Sequence, residues 1–108
     1  MLVNLNDVLL PAAEKGYGVG LFNTVNFEMA RGVLQAAQEL RAPVIIGTAE
    51  ILLPYGPLEE LSDMILPMAK KADVPVVVHY DHGLTFEKCV EALKLGFSSI
   101  MYDCSTDS

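Results

Sequence analysis

The sequence predicts an α/β fold of parallel strands covered by helices, and three observations point to it. Helix-type and strand-type patterns alternate from one end of the chain to the other. The strand-like runs begin near residues 18, 44, 76 and 99, about 23 to 32 residues apart, which is the length of a right-handed strand–helix–strand unit. The central runs are continuously apolar rather than alternating, the mark of strands buried on both faces. Two architectures accept this order: an open doubly wound sheet, or the N-terminal half of a (β/α)8 TIM barrel, four parallel strands with covering helices. A Gly-x-Gly-x-x-Gly turn would favour the dinucleotide-binding sheet. Gly18-x-Gly20 lies inside a strand and lacks the third glycine, so it is not that turn.

Each element has a local cause. Asn6 can cap a short helix over residues 7–15 that stops at Gly16. Residues 18–22 form the first strand, ending at Asn23. From Asn26, apolar residues recur at Ala30, Val33, Leu34, Ala37 and Leu40, the spacing of one helical face, with Glu28 in the dipole-favoured first turn. The run at 43–48 is the second strand. Gly56-Pro57 opens the next helix, with proline at its natural first position. Pro67 falls within that helix and should kink it near residues 63–66, because proline removes a backbone bond. Residues 74–81 form the third and most apolar strand. Thr85 caps a helix with Phe86, Cys89, Val90 and Leu93 buried and Gly96 as its stop, and residues 98–102 make the fourth strand.

Bulk properties bound the rest. The 108 residues suffice for one domain, 1–108, and 52% are apolar, ample material for a core. Seven Lys and Arg against fourteen Asp and Glu give a net charge of −7 with no basic cluster, which disfavours nucleic acid and anionic lipid as partners. No apolar run approaches the roughly 20 residues that span a bilayer. The amino-terminal segment lacks the basic stretch of a signal peptide. Two cysteines, Cys89 and Cys104, make neither a disulfide framework nor a metal-thiolate spacing. A reducing cytoplasm is the expected location.

In both candidate folds ligands meet the carboxyl ends of the strands. Those ends read Asn23, then Thr48 to Glu50, then His79-Tyr80-Asp81-His82-Gly83, then Asp103-Cys104-Ser105. Each end carries polar or ionisable residues, whereas the opposite ends read Gly18, Pro43, Pro75 and Ser98. Strand alternation puts Val77, His79 and Asp81 on one side and Val76, Val78 and Tyr80 on the other. Asp81 then sits one layer above His79, and His82 is the first residue past the strand. A neutral imidazole suits zinc, and a carboxylate beside the ion can serve as acid or base. The same run also fits two core histidines bonded to one carboxylate, and His79 by itself reads as an interior residue. Asn23 could equally cap a turn and Asp103 a following helix. Tyr80 and Tyr102 read as sheet-packing residues, Cys89 as core, and Glu50 as a solvated loop carboxylate.

Val74-Pro75-Val76-Val77-Val78-His79-Tyr80-Asp81-His82-Gly83, followed by Phe86-Glu87, resembles the signature of class II fructose- and tagatose-bisphosphate aldolases. Gly96-Phe97-Ser98-Ser99-Ile100-Met101-Tyr102-Asp103-Cys104-Ser105 is similar to the stretch that follows it there, and Phe22-Asn23 and Ala42-Pro43-Val44-Ile45-Ile46 also match. The resemblance covers the whole chain and implies the TIM-barrel alternative. It implies that His82 is one of three zinc-binding histidines, that Asp81 exchanges a proton with the substrate C4 hydroxyl, that Asp103 is a carboxylate near the metal and monovalent-cation sites, and that Asn23 contacts substrate. The implied reaction is reversible cleavage of a ketose bisphosphate to dihydroxyacetone phosphate and an aldehyde, a step of glycolysis and carbohydrate metabolism. Zn2+ is the implied cofactor, with a second divalent or monovalent cation beside it.

One departure matters: many members place serine just after the second strand, where this chain has Ala49. A related sugar phosphate is therefore an alternative substrate. The other two zinc histidines belong to a missing half, since a full barrel needs roughly 200 to 400 residues. The expectation is a truncated half-barrel, inactive alone, whose open edges and uncovered inner face invite association into a homo-oligomer. The alternatives are a non-catalytic, self-associating half-barrel and another metal-dependent sugar-phosphate lyase.

Overall fold

A computed structural model describes residues 1–55 and 57–105. Helix α1 (Leu5–Lys15) precedes strand β1 (Leu21–Asn23). Then follow α2 (Phe27–Leu40), β2 (Val44–Ala49), a 3-10 helix (Glu50–Tyr55), α3 (Leu58–Lys71), β3 (Val76–Gly83), α4 (Phe86–Leu95) and β4 (Ser99–Tyr102). The sheet is parallel, in the order β1-β2-β3-β4. Sequential order separates the two candidate architectures. A doubly wound sheet reverses direction at a switch point, whereas a barrel adds each strand to the same side. The chain is the N-terminal half of a (β/α)8 barrel.

The two faces of the sheet are covered differently. Val44, Ile46, Val76, Val78 and Tyr80 project outward and pack with α2, α3 and α4 residues such as Leu34, Ile65 and Ala92 in the main core. Ile45 and Val77 project to the inner face, where Val8 of α1 packs on them together with Val3, Leu5 and Val19. Val3 N–H donates to the Val76 carbonyl at 2.9 Å, fixing this segment at the amino end of β3. Helix α1 therefore closes the amino-terminal end of the inner face and leaves the carboxyl end open.

Several local expectations shift. Asn4, not Asn6, caps α1: its side chain accepts from Asp7 N–H while Asp7 accepts from Asn4 N–H, a reciprocal pair that Asn6 has no matching acid to form. Strand β1 is confined to residues that pair with β2, so Gly18 and Gly20 precede it. Pro57 occupies the cap rather than the first turn of α3, and Gly56 lies outside the described residues. Helix α3 runs through Pro67 to Lys71 as one element. Phe86 and Leu93, expected in the core, are exposed, because α4 turns Cys89 and Ala92 to the sheet instead.

Candidate active site at the carboxyl end of β3

The inner face carries a row of residues in register across all four strands: Asn23, Gly47, His79 and Ser99. Ala49 and Asp81 pair in the row above. Gly47 is required here by close approach, since a Cβ would lie 2.7 Å from Asn23 Oδ1 and 3.2 Å from the His79 carbonyl. Asn23 thus fills space that a side chain on β2 would otherwise occupy. Asn23 itself is exposed on the edge strand.

His79 is buried, with its Nδ1 2.7 Å from Ser99 Oγ and its Nε2 3.4 Å from Asp81 Oδ1. Burial lowers its pKa, and the nearby Asp81 carboxylate opposes that shift only in part. The ring is therefore neutral at pH 7 and carries one proton. A carboxylate can only accept, so that proton sits on Nε2 facing Asp81, and Nδ1 accepts from the Ser99 hydroxyl. His79 anchors Asp81 from the buried side. The interior placement expected for His79 holds, and Ser99 is the partner that strand alternation alone did not reveal.

Strand β3 does not end at Asp81, as the sequence suggested, but continues through Gly83. The Asp103 N–H donates to the Gly83 carbonyl at 2.8 Å, which extends the ladder toward β4. Pairing with β4 is irregular between Tyr80 and Gly83, a bulge that accommodates His82 at φ 48°. A left-handed backbone costs a non-glycine residue about 1–2 kcal/mol, and bulges near sites commonly re-aim a side chain. The result is a sharp contrast in exposure: the Asp81 side chain is 15% exposed and that of His82 57%. Gly83 is packed so closely that a Cβ would meet Cys89 Sγ at 2.5 Å and the Met101 carbonyl at 2.9 Å.

His82 stands between two carboxylates. Its Nε2 is 3.6 Å from Asp81 Oδ2 and its Nδ1 3.6 Å from Asp103 Oδ2. These are close polar approaches rather than hydrogen bonds. The Ser105 hydroxyl and N–H hold the Asp103 carboxyl below its ordinary range, and His82 adds to the effect. The structure thus brings Asp81, His82 and Asp103 together, while Asn23 lies in the row below Asp81 and two strands away from it.

Glu50 is the clearest correction. It is no solvated loop carboxylate: its Oε1 accepts from the Tyr80 hydroxyl at 3.0 Å and from Leu84 N–H, Thr85 N–H and the Thr85 hydroxyl at 3.1 Å each. Burial, then the Glu50 carboxylate, pushes the Tyr80 phenol well above its usual range, so it remains a donor. Burial also raises the Cys89 thiol, and Cys104 is exposed; neither cysteine is in a disulfide.

As to metal, zinc in catalytic sites takes three protein ligands and a water. Among the described residues, no group of three or more His, Cys, Asp and Glu side chains is arranged to hold an ion. His82 and Asp103 have donor chemistry that suits a divalent ion but are fewer than the three protein ligands such a site takes.

A bulged strand end carrying an Asp–His pair thus stands at the open end of a half-barrel, and comparison with known proteins gives the family. The sequence profile described as "Fructose-bisphosphate aldolase class-II" matches residues 3–108. The chain belongs to the class II fructose-bisphosphate aldolase family. It is 43% identical over 106 residues to a fructose-bisphosphate aldolase of Helicobacter pylori strain 26695 and 44% identical over 105 residues to one of Thermus caldophilus, covering 97% of this chain in each case. It spans 34% of the length of both relatives. The crystal structure of the YdjI aldolase from Escherichia coli K12 superposes with a TM-score of 0.95 at 37% identity, covering 100% of this chain and 42% of that one. The Campylobacter jejuni fructose-bisphosphate aldolase shares the fold, with a TM-score of 0.80 at 24% identity over 99% of this chain and 39% of its own.

Proposed function

We propose that this chain is the amino-terminal half-barrel of a metal-dependent aldolase that cleaves a ketose bisphosphate to dihydroxyacetone phosphate and an aldehyde. The observation that carries this reading is the Asp81 carboxylate, anchored by neutral His79 from below and facing exposed His82 at the open end of the sheet. In this reading Asp81 takes the proton from the C4 hydroxyl as the C3–C4 bond breaks, and the electron pair moves toward the C2 carbonyl to leave an enediolate. His79, fixed by Ser99, keeps Asp81 pointed at that proton. His82 would hold a divalent ion, with Asp103 beside it or at a neighbouring monovalent-cation position. Such an ion, zinc by preference, supplies positive charge against the developing enediolate. Asn23, at the same end of β1, would contact substrate.

The partial donor set supports a further part of the reading: the remaining ligands and the phosphate-binding groups come from polypeptide beyond this third of an aldolase, and the 108-residue chain alone is inactive. Acidic charge, free cysteines and the lack of any helix among the described residues long and apolar enough to cross a membrane fit an enzyme of the reducing cytoplasm. Association into a homo-oligomer is part of the same proposal.

A second reading concerns the substrate. Ala49 pairs with Asp81 in register, so the position beside the proposed base carries a methyl where a serine would offer a hydroxyl. That favours a related phosphorylated ketose, fructose and tagatose bisphosphates being the reference compounds. Release of dihydroxyacetone phosphate from a panel of phosphorylated ketoses, by an aldolase-length polypeptide carrying this sequence, tests both. The proposal expects cleavage of at least one member, abolished by a chelator and restored by zinc. Cleavage of none, or cleavage indifferent to the chelator, would refute it.

A further inference from the structure

We infer that Glu50 is a positioning residue for the Asp81–His82 pair, an inference that rests on the aldolase reading of those two side chains. One carboxylate oxygen brackets the segment from both ends. Glu50 Oε1 accepts from the Tyr80 hydroxyl, on the residue preceding Asp81, and from the N–H groups of Leu84 and Thr85, which follow Gly83. The Thr85 hydroxyl donates to the same oxygen and accepts from Lys88 N–H at 3.4 Å, tying the start of α4 to the same point.

Between these fixed ends lie the bulge and the left-handed His82. An unfavourable backbone conformation persists only when its surroundings over-determine it. Packing supplies part of that constraint, through the tight contacts of Gly83 with Cys89 and the Met101 carbonyl. Packing also buries the Tyr80 ring against Phe97, but only Glu50 joins the residues on either side of the bulge through one atom. Glu50 opens the 3-10 helix directly after Ala49, whose register partner is Asp81, so the tether runs from the neighbouring strand end. Hydrogen bonds to a charged acceptor are roughly twice as strong as neutral ones, so replacing the anion weakens all four bonds together. Glu50 itself need touch neither metal nor substrate.

The test uses the aldolase-length polypeptide with Glu50→Gln and Glu50→Ala, and Asp73→Asn, which alters an exposed ion pair with Arg41, as the control. Amide hydrogen exchange at Leu84 and Thr85 reports the tether whether or not the protein is an aldolase. Zinc affinity, kcat and KM report its consequence for the site. The expected result is faster exchange at both amides and a loss of about 10- to 100-fold in zinc affinity or kcat, the usual scale for residues that orient ligands. KM should move less than kcat, Gln should be milder than Ala, and the thermal midpoint of Glu50→Gln should stay near that of the parent. If Glu50→Ala does not fold, Tyr80→Phe with Thr85→Val removes donors while keeping the carboxylate and should reproduce the loss. Unchanged exchange overturns the inference. So does a lowered midpoint with parental kcat and zinc affinity in the folded fraction, the result of a merely structural role. A parent protein that cleaves no phosphorylated ketose would instead defeat the aldolase reading, leaving exchange and zinc affinity to decide the tether.

Discussion

The role of His79 beside Asp81 is set by its surroundings. His79 is buried and neutral, and its lowered pKa has a consequence for stability. Below the ordinary histidine value of 6.5 the unfolded chain binds a proton that folded His79 refuses. Stability from this residue is therefore full above that pH and declines as the pH falls toward the lowered value. Unfolding titrations should show His79→Gln flattening this dependence as the pH falls below the ordinary histidine value of 6.5; an unaltered slope would assign the acid sensitivity elsewhere. Gly83 makes the second prediction at this scale. Gly83→Ala forces a methyl against the Met101 carbonyl and the Tyr80 ring, neither a flexible chain end, and should cost about 1–3 kcal/mol by denaturant midpoint. The alternation that set His79 and Asp81 on one face was legible, because it depends only on the period of a strand. Ser99 and Glu50 were not, because their partners lie 20 and 30 to 35 residues away in sequence. A carboxylate just past a strand looks the same in sequence whether water or four donors surround it.

Elements with strong local chemistry were readable in place. Asn26 and Thr85 cap α2 and α4, and Gly96 ends α4 at φ 108°. The departures arise where tertiary pairing decides. Strand β3 extends two residues beyond Asp81, its expected end, because β4 offers it a hydrogen-bonding partner across the bulge. The 3-10 helix has Pro54 within it and no buried residue, so it carries no periodic signal. Thr85 joins the two levels, capping α4 while donating to Glu50. Thr85→Ala should cost about 1 kcal/mol from the cap, and its loss of a Glu50 donor should make it more damaging than Asn26→Ala, whose side chain serves only its own helix. Equal costs by thermal unfolding would argue that the Glu50 contact adds nothing at Thr85.

At the scale of the molecule, β1 and β4 are the outer strands of the sheet among the described residues, with Leu21 and Phe22 exposed on one and Met101 on the other. Phe86 and Leu93 add exposed apolar surface on α4, next to β4 in sequence. Outer strands and exposed apolar patches favour association. The 108-residue chain alone should therefore sediment with a mass that rises with concentration and should show no aldol cleavage, whereas a monodisperse, active monomer would contradict the half-barrel account. Architecture was legible because spacing fixes the strand–helix units, but spacing left the open sheet and the barrel equally admissible; strand order, set by packing across the whole sheet, separates them. The functional claim is that Asp81 and His82, adjacent on one bulged strand end, divide chemistry and metal binding. Metal content and aldol cleavage measured together on Asp81→Ala and His82→Ala, in an aldolase-length polypeptide, test it most directly. The account predicts that His82→Ala loses metal and activity, while Asp81→Ala keeps metal and loses about 100- to 10,000-fold in kcat. Full metal and turnover in His82→Ala, or undiminished turnover in Asp81→Ala, would contradict it.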